Sequence, residues 1–330
     1  MKRVLITGGC GFLGHHVAEH IFKNTDWEIV IIDKLTYASS GFKRLRSAGL
    51  VGCERVKIYT WDLCSKLTKG FISEIGDIDI ILHLAADTHV DNSIAEPVDF
   101  IANNIFSTVN LLEYARTLPN LKVFLYFSTD EVYGVAPPGV SYKENDTHNP
   151  SNPYSASKSS SEMICLSYAN TYKVPVIITN TVNVTGERQH VEKFIPKVIR
   201  MVRDNESIDI HANPDCTLPG SRFYIHARNV AHALLFIIDN GTIGEKYNIT
   251  ESKEMDNLAI AKLIAKIMGK ELKYNLVNFH ESRPGHDLRY DLDGTKLYQL
   301  GWKPAIDFER SLEKTVAWTL NNQEWLEYYI

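Results

Sequence analysis

Thr7-Gly8-Gly9-Cys10-Gly11-Phe12-Leu13-Gly14 is the stretch that decides the fold. It follows the apolar run Val4–Thr7 directly and opens a helix predicted over 12–23. Gly9, Gly11 and Gly14 satisfy the G-x-G-x-x-G fingerprint, while Gly8, Gly11 and Gly14 give a G-x-x-G-x-x-G spacing. Glycines are needed here for the tight turn, for close approach of backbone to a pyrophosphate, and for packing of helix on strand. The helix start, with Phe12 and Leu13 in its first turn, offers free N–H groups and a positive dipole end to phosphate. Asp33 closes the next run, Glu28–Asp33, roughly 20 residues past the glycines, where a carboxylate accepts hydrogen bonds from adenosine ribose hydroxyls. A carboxylate repels a 2′-phosphate, so NAD is expected over NADP, a preference that the adjacent Lys34 tempers. Asp62-Leu63 after the third run and Ala85-Ala86 after the fourth fit the walls of an adenine and ribose groove.

Outward from that turn, short β-branched runs alternate with amphipathic stretches. Val4–Thr7, Glu28–Asp33, Val56–Thr60, Ile78–Leu84, Val123–Ser128 and Val174–Asn180 read as strands, mostly buried on both faces. Helices are predicted near 12–23, 101–117 and 155–172. Such alternation predicts an α/β fold: a Rossmann-type doubly wound parallel sheet built from right-handed crossovers. After about residue 180 the pattern loosens, with helices expected near 192–203, 228–240, 257–268 and 307–321 and a strand at Lys246–Thr250. The expected division is 1–180 for the dinucleotide and 181–330, mainly, for a smaller C-terminal α/β substrate lobe, with some segments returning to the first sheet.

Composition bounds the function. The 330 residues, 44% hydrophobic and 23% charged, suit a soluble globular chain able to bury a core without staples. Net charge is −5, with no basic run, so nucleic acid is not an expected partner. The five cysteines are odd in number and no pair has metal-ligand spacing, so free thiols in a reducing compartment and no metal are expected. No apolar run suggests a leader or a membrane span, and a cytoplasmic location is the default.

Asn152-Pro153-Tyr154-Ser155-Ala156-Ser157-Lys158 places Tyr154 and Lys158 on one face of a helix. A lysine cation beside a phenol favours phenolate, and bringing a tyrosine from about 10 toward neutrality is worth roughly 4 kcal/mol. Such a tyrosine can take the proton of a substrate hydroxyl during oxidation. In isolation a snorkelling pair on an amphipathic helix is the better account of the spacing; combined with the dinucleotide turn and the next motif it gives way. The companion motif Ser128-Thr129-Asp130-Glu131-Val132-Tyr133-Gly134 stands at a predicted sheet end.

Taken together, these motifs resemble the extended short-chain dehydrogenase/reductases, and Thr129-Asp130-Glu131 resembles the nucleotide-sugar 4,6-dehydratases among them. Asp33-Lys34-Leu35-Thr36-Tyr37-Ala38, His83-Leu84-Ala85-Ala86, His89-Val90-Asp91, Arg283-Pro284-Gly285-His286-Asp287 and Gly301-Trp302-Lys303-Pro304 extend the resemblance from residue 2 to about 304. It implies a lyase of deoxysugar biosynthesis: C4 of an NDP-hexose, dTDP-glucose first, is oxidised, water leaves across C5 and C6, and the reducing equivalent returns to C6. It implies Tyr154 as the C4 base assisted by Lys158, Thr129 as partner of the C4 oxygen, Glu131 as the C5 base and Asp130 as the acid to the C6 hydroxyl. Two adjacent acids can divide these tasks if their surroundings separate their pKa values. It further implies a homodimer packed through 101–117 and 155–172.

For the nucleotide-diphosphate sugar, the resemblance implies Arg222 and Arg283 at the pyrophosphate, where a planar guanidinium fork suits phosphate. It implies Thr88, His89, Asn183, Glu192, Lys193 and His286 elsewhere on the substrate. The chain departs from the family at Thr181-Val182-Asn183-Val184-Thr185-Gly186, at His226, and in the longer segment His211–Gly220, all on the substrate side. A 4-epimerase or glucuronate decarboxylase on the same scaffold, and a non-catalytic NAD-binding regulator, remain open at this point.

Overall fold

The computed structural model describes residues 1–251, 253–278 and 289–327. Its centre is a seven-stranded sheet, every neighbouring pair of which is parallel. The strands are β1 (Arg3–Thr7), β2 (Glu28–Asp33), β3 (Val56–Thr60), β4 (Ile80–His83), β5 (Val123–Phe127), β6 (Val176–Thr181) and Lys246–Ile249. The last becomes β10 once β7 (Asn183–Thr185), β8 (Ser207–Ala212) and β9 (Ser221–His226) are counted. The order is β10-β6-β5-β4-β1-β2-β3. The chain thus starts mid-sheet, winds outward through β2 and β3, then returns to β4 and winds the other way. The reversal leaves a crevice at the carboxyl ends of β1 and β4, the place where such sheets hold ligands.

Continuous apolar strands explain both layers. Val4, Ile6, Ile29, Ile31, Ile80 and Leu82 belong to one core cluster, and the alternating Leu5, Val30, Ile32 and Ile81 to a second. Period-two alternation sends successive side chains to opposite faces, so a run apolar at every position needs cover on both. Helices α1 (Phe12–Asn24) and α8 (Ala227–Asn240) supply Val17, Ile21, Leu234 and Ile237 to the first core. Helices α5 (Pro97–Ala115) and α6 (Pro153–Tyr172) supply Leu111, Leu112 and Cys165 to the second.

The predicted doubly wound sheet is present. Helix α5 begins four residues before its predicted start because Pro97 sits in its first turn, where a fixed φ and a missing N–H cost nothing. Helix α6 begins at Pro153 for the same reason, behind an Asn152–Ser155 capping box. Beyond β6, a three-stranded sheet in the order β11-β9-β7, with β11 at Glu254–Asp256, and a pair of β8 with β12 (Lys273–Asn278) were not foreseen. Their strands are three to six residues long and flanked by turns, too short for a periodicity argument. A third core lies beneath them, where Ile195, Val198, Ile260, Ile264, Leu312 and Val316 meet Ile208 and Ile210. No described helix is long and apolar enough to cross a membrane.

Candidate active site

The glycine turn is built as its spacing requires. Gly8 has φ +70°, and a Cβ there would stand 2.8 Å from the Ala85 Cα. At Gly14 a Cβ would lie 2.1 Å from the Gly8 carbonyl oxygen, so only glycine lets α1 start this close to the turn. The Gly11 N–H donates to that carbonyl at 3.0 Å, and Gly11 caps α1 without any side chain in front of its free amides. Asp33 faces the turn: its two oxygens accept from the backbone N–H groups of Cys10 at 2.9 Å and Leu35 at 2.8 Å. Burial raises its carboxyl above the usual range, and those two hydrogen bonds draw it back. A side-chain-free helix start, an acid at the end of β2 and a cleft of about 380 Å3 fit NAD. Gly8, Gly11, Phe12, Leu13, Gly14, Asp33, Lys34, Asp62, Leu63, Ala85 and Ala86 all line that cleft.

Sequence reasoning missed Arg44 in the same wall. Its side chain is buried; Nε donates to the Arg188 carbonyl at 2.9 Å, and Nη1 to the carbonyls of Ala38 at 2.6 Å and Ser39 at 2.7 Å. One guanidinium thus ties the loop after β2 to the loop after β7. A lone arginine in a loop carried no signal of this.

At the far end of the cleft stand Thr129, Asp130, Glu131, Tyr154 and Lys158. The chain leaves β5 and turns through a short 3-10 segment, Asp130–Tyr133, whose cap is Thr129: its Oγ1 accepts from the Glu131 N–H at 3.3 Å. The Thr129 hydroxyl donates to Asp130 Oδ1 at 3.0 Å. Asp130 is buried, and desolvation followed by the Glu131 charge pushes its carboxyl up to about 7. The neighbouring acids therefore sit in the unequal surroundings that a division of labour requires. Asn152 caps α6 through Oδ1, which accepts from the Ser155 N–H at 2.9 Å, and its Nδ2 donates to Glu131 Oε2 at 3.3 Å.

The expectation that Lys158 lowers the Tyr154 phenol is not met in this structure. Burial, then the charges of Glu131 and Asp130, push the phenol well up, against a smaller lowering influence of the Thr129 hydroxyl. The Lys158 ammonium instead donates to the Phe127 carbonyl at 2.6 Å and lies 4.3 Å from the centre of the Tyr126 ring. Burial lowers Lys158 to about 8. Glu162, one turn further along α6, opposes that shift; it is itself fully buried and paired with Lys246 of β10 at 2.6 Å. Asn180 completes this framework: Nδ2 donates to Glu162 Oε1 at 2.7 Å and to the Thr129 carbonyl at 3.0 Å.

A second cleft of about 240 Å3 adjoins the first. Thr88, Glu131, Asn183, Glu192 and Lys193 line both, and His89 and Arg222 line the second. Arg222 is buried, with Nη1 donating to the Ser221 carbonyl at 2.7 Å and the guanidinium 4.7 Å from the centre of the Tyr290 ring. Its charge reaches Asp130, which it lowers. Glu192 faces Tyr37, His89, His190 and Lys193 across the mouth. Tyr224, Asp209, His211 and Asn257 also line this cleft and were not foreseen, because β8, β9 and the start of α9 (Asn257–Ile267) were not resolved as one wall by sequence. Arg283 and His286 lie outside the described residues.

Comparisons with known proteins agree with this geometry. The family described as GDP-mannose 4,6 dehydratase matches residues 5–315. A dTDP-glucose 4,6-dehydratase of Escherichia coli is 36% identical over 351 residues, covering 98% of this chain and 95% of the relative. A trifunctional UDP-glucose 4,6-dehydratase, 3,5-epimerase and reductase of Arabidopsis thaliana is also 36% identical over 98% of this chain; the chain spans about half of that relative's length, 48%. Among solved structures, a dTDP-glucose 4,6-dehydratase of Streptomyces venezuelae with NAD bound superposes with a TM-score of 0.87 at 30% identity, covering 98% of this chain and 99% of that one.

Proposed function

This chain belongs to the GDP-mannose 4,6 dehydratase family, within the extended short-chain dehydrogenase/reductases, and on that premise we propose that it is an NAD-dependent NDP-glucose 4,6-dehydratase acting on dTDP-glucose. The observation that carries the reading is that Asp130 and Glu131 line the first cleft together with Thr129 and Tyr154, and that Glu131 also lines the second. A simple dehydrogenase or a 4-epimerase has no use for that pair of acids.

In this reading residues 1–180 hold NAD and residues 181–330 mainly hold the nucleotide sugar, with Arg222 and Arg283 at its pyrophosphate and Thr88, His89, Asn183, Glu192, Lys193 and His286 along the rest. NAD bound in the first cleft would supply the reversible redox chemistry, as hydride acceptor at C4 and donor at C6. Tyr154 accepts the C4 hydroxyl proton while Thr129 holds the C4 oxygen, and Lys158 would hold the nicotinamide ribose. With a carbonyl at C4 the C5 proton becomes acidic, because the carbanion is an enolate. Glu131 removes that proton. Asp130 protonates the C6 hydroxyl, which leaves as water, and Glu131 returns its proton to C5 at the close. General acid–base steps of this kind contribute about 10²–10⁴-fold each.

The test is incubation of the protein with dTDP-, UDP-, CDP- and GDP-glucose, with products read by NMR. A 4-keto-6-deoxy sugar from dTDP-glucose is expected, and no water loss from any of them would refute the reading. UDP-glucose is the second candidate, because the plant relative named for it is as similar as the bacterial one named for dTDP-glucose. Turnover should also fall as pH rises through about 7, where Asp130 gives up the proton it must donate. A turnover profile flat through that range would place the acid elsewhere.

We also assign a homodimer and a cytoplasmic location. Helices α5 and α6 leave Val98, Phe106 and Met163 exposed, an apolar surface suited to a second copy. All five cysteines are unpaired, as in a reducing compartment. Size-exclusion chromatography with light scattering checks the former, and a monomer at micromolar concentration would refute it.

A further inference from the structure

All six residues of β6 are buried, and Asn180 is fully covered among them. Asparagine is a poor choice for such a place: it is depleted in strands, and its amide is costly to bury without partners. Glu162 on α6 is covered just as completely. The two side chains meet, with Asn180 Nδ2 donating to Glu162 Oε1 at 2.7 Å. The second hydrogen of the same nitrogen goes to the Thr129 carbonyl at 3.0 Å. Turning the amide over would set an oxygen against two oxygens, so the bonding pattern fixes its orientation. Glu162 is held in turn, with Lys246 of β10 at 2.6 Å from Oε2 and His148 Nε2 at 3.5 Å from the same atom.

We propose that Asn180 is a positioning residue for the reaction, fixing the peptide between Thr129 and Asp130 from which both of those side chains are aimed. The inference rests on the dehydratase reading, which gives Thr129 and Asp130 their work. The register of β5 with β6 ends at Phe127 and Thr179, and the Ser128 N–H donates to the Thr179 carbonyl at 2.7 Å. The Asn180 side chain takes over one residue further on, at the Thr129 carbonyl. That carbonyl shares a planar unit with the Asp130 N–H, so pinning it fixes the plane that joins the two residues. The same threonine caps the turn, its Oγ1 accepting from the Glu131 N–H at 3.3 Å and its hydroxyl donating to Asp130 Oδ1 at 3.0 Å. A tilt of the peptide would therefore be passed to both acids. Helix α6 thus holds the end of β5 twice: Lys158 bonds the Phe127 carbonyl directly at 2.6 Å, and Glu162 reaches the Thr129 carbonyl through Asn180.

The chemistry of the place asks for this residue type. Two acceptors must be served by one side chain, and an amide NH2 group has two hydrogens to give. A serine hydroxyl has one and serves only one acceptor. An aspartate has none unless protonated, and then again one. Either replacement leaves a buried acceptor unpaired. The structure thus spends a fully buried amide and a fully buried carboxyl on one backbone carbonyl, at the turn that carries the strand-end acids. A displacement of about 1 Å at reacting groups is enough to slow a reaction by about 10²-fold.

Two measurements test this. Counted per NAD-loaded site, Asn180→Ser should lose at least about tenfold in kcat, with the KM for the nucleotide sugar changed less than about threefold. A residue that only supports the fold would lower the fraction of loaded sites and leave each loaded site at the wild-type rate, a result that would overturn the proposal. Asn180→Asp, which keeps the size of the side chain, is read in the same way should the smaller serine fail to fold. A double-mutant cycle with Thr129→Val then locates the cause. If Asn180 acts through the Thr129 peptide, the double variant loses less than the product of the two single losses, and a loss equal to the full product would overturn the proposal. A wild type that eliminates water from no nucleotide sugar would instead remove the dehydratase reading. A wild type that does eliminate water, beside an Asn180→Ser variant that keeps pace with it, removes this inference alone.

Discussion

Glu131→Gln is expected to lower formation of the 4-keto-6-deoxy product by about 10²–10⁴-fold while C4 oxidation persists. Glutamine keeps the size of the side chain and an oxygen that can accept from Asn152 Nδ2, so the turn after β5 need not move. It cannot take a proton from C5. Substrate should therefore be trapped as the C4 ketone, seen as a rise in the absorbance of reduced nicotinamide that does not decay. There is a second signature. The Glu131 charge helps push up the Tyr154 phenol, so its removal lowers the phenol and shifts the onset of C4 oxidation to lower pH. A variant that made product at the wild-type rate would move the C5 base to another residue and favour the epimerase or decarboxylase alternative.

Gly14→Val is expected to cost more than about 3 kcal/mol of stability, or to prevent folding outright. The clash is with backbone, a Cβ at 2.1 Å from the Gly8 carbonyl and 2.7 Å from the Gly9 Cα, so no rotamer change relieves it. Helix α1 would have to withdraw from the turn, opening the anion cradle and uncovering Val17 and Ile21 of the first core. Thermal melts with and without NAD check this. A variant that melts like the wild type and gains the same shift with NAD would show that the turn has room the structure does not display.

The large sheet was legible because its strands are apolar at nearly every position, a pattern that only a doubly covered sheet explains. The glycine turn was legible because Gly8 and Gly14 answer to steric demands that no other residue meets. Thr129, Asp130 and Glu131 were legible as a triplet, though not the Asn152 amide that reaches Glu131 from the start of α6, since hydrogen-bond partners 21 residues apart leave no mark on spacing. Reading Tyr154 and Lys158 as a phenolate pair overweighted a charge and underweighted burial. A cation that donates to the Phe127 carbonyl beside the phenol does less than the loss of water from around it. Arg44, Glu162 and Asn180 escaped notice because their partners come from segments far apart in the chain. The wall formed by Asp209, His211, Tyr224 and Asn257 was hidden for a different reason: strands this short show no period.

The pairing of β10 with β6 has a consequence for synthesis on the ribosome. Until residue 249 has emerged, β6 is an open edge and Glu162 lacks its Lys246 partner. The nascent chain therefore holds its glycine turn, its strand-end acids and its tyrosine well before the ion pair that ties α6 to β10 can form. A slow codon run or a stall between residues 181 and 249 would leave β6 uncovered and open to pairing with neighbouring chains.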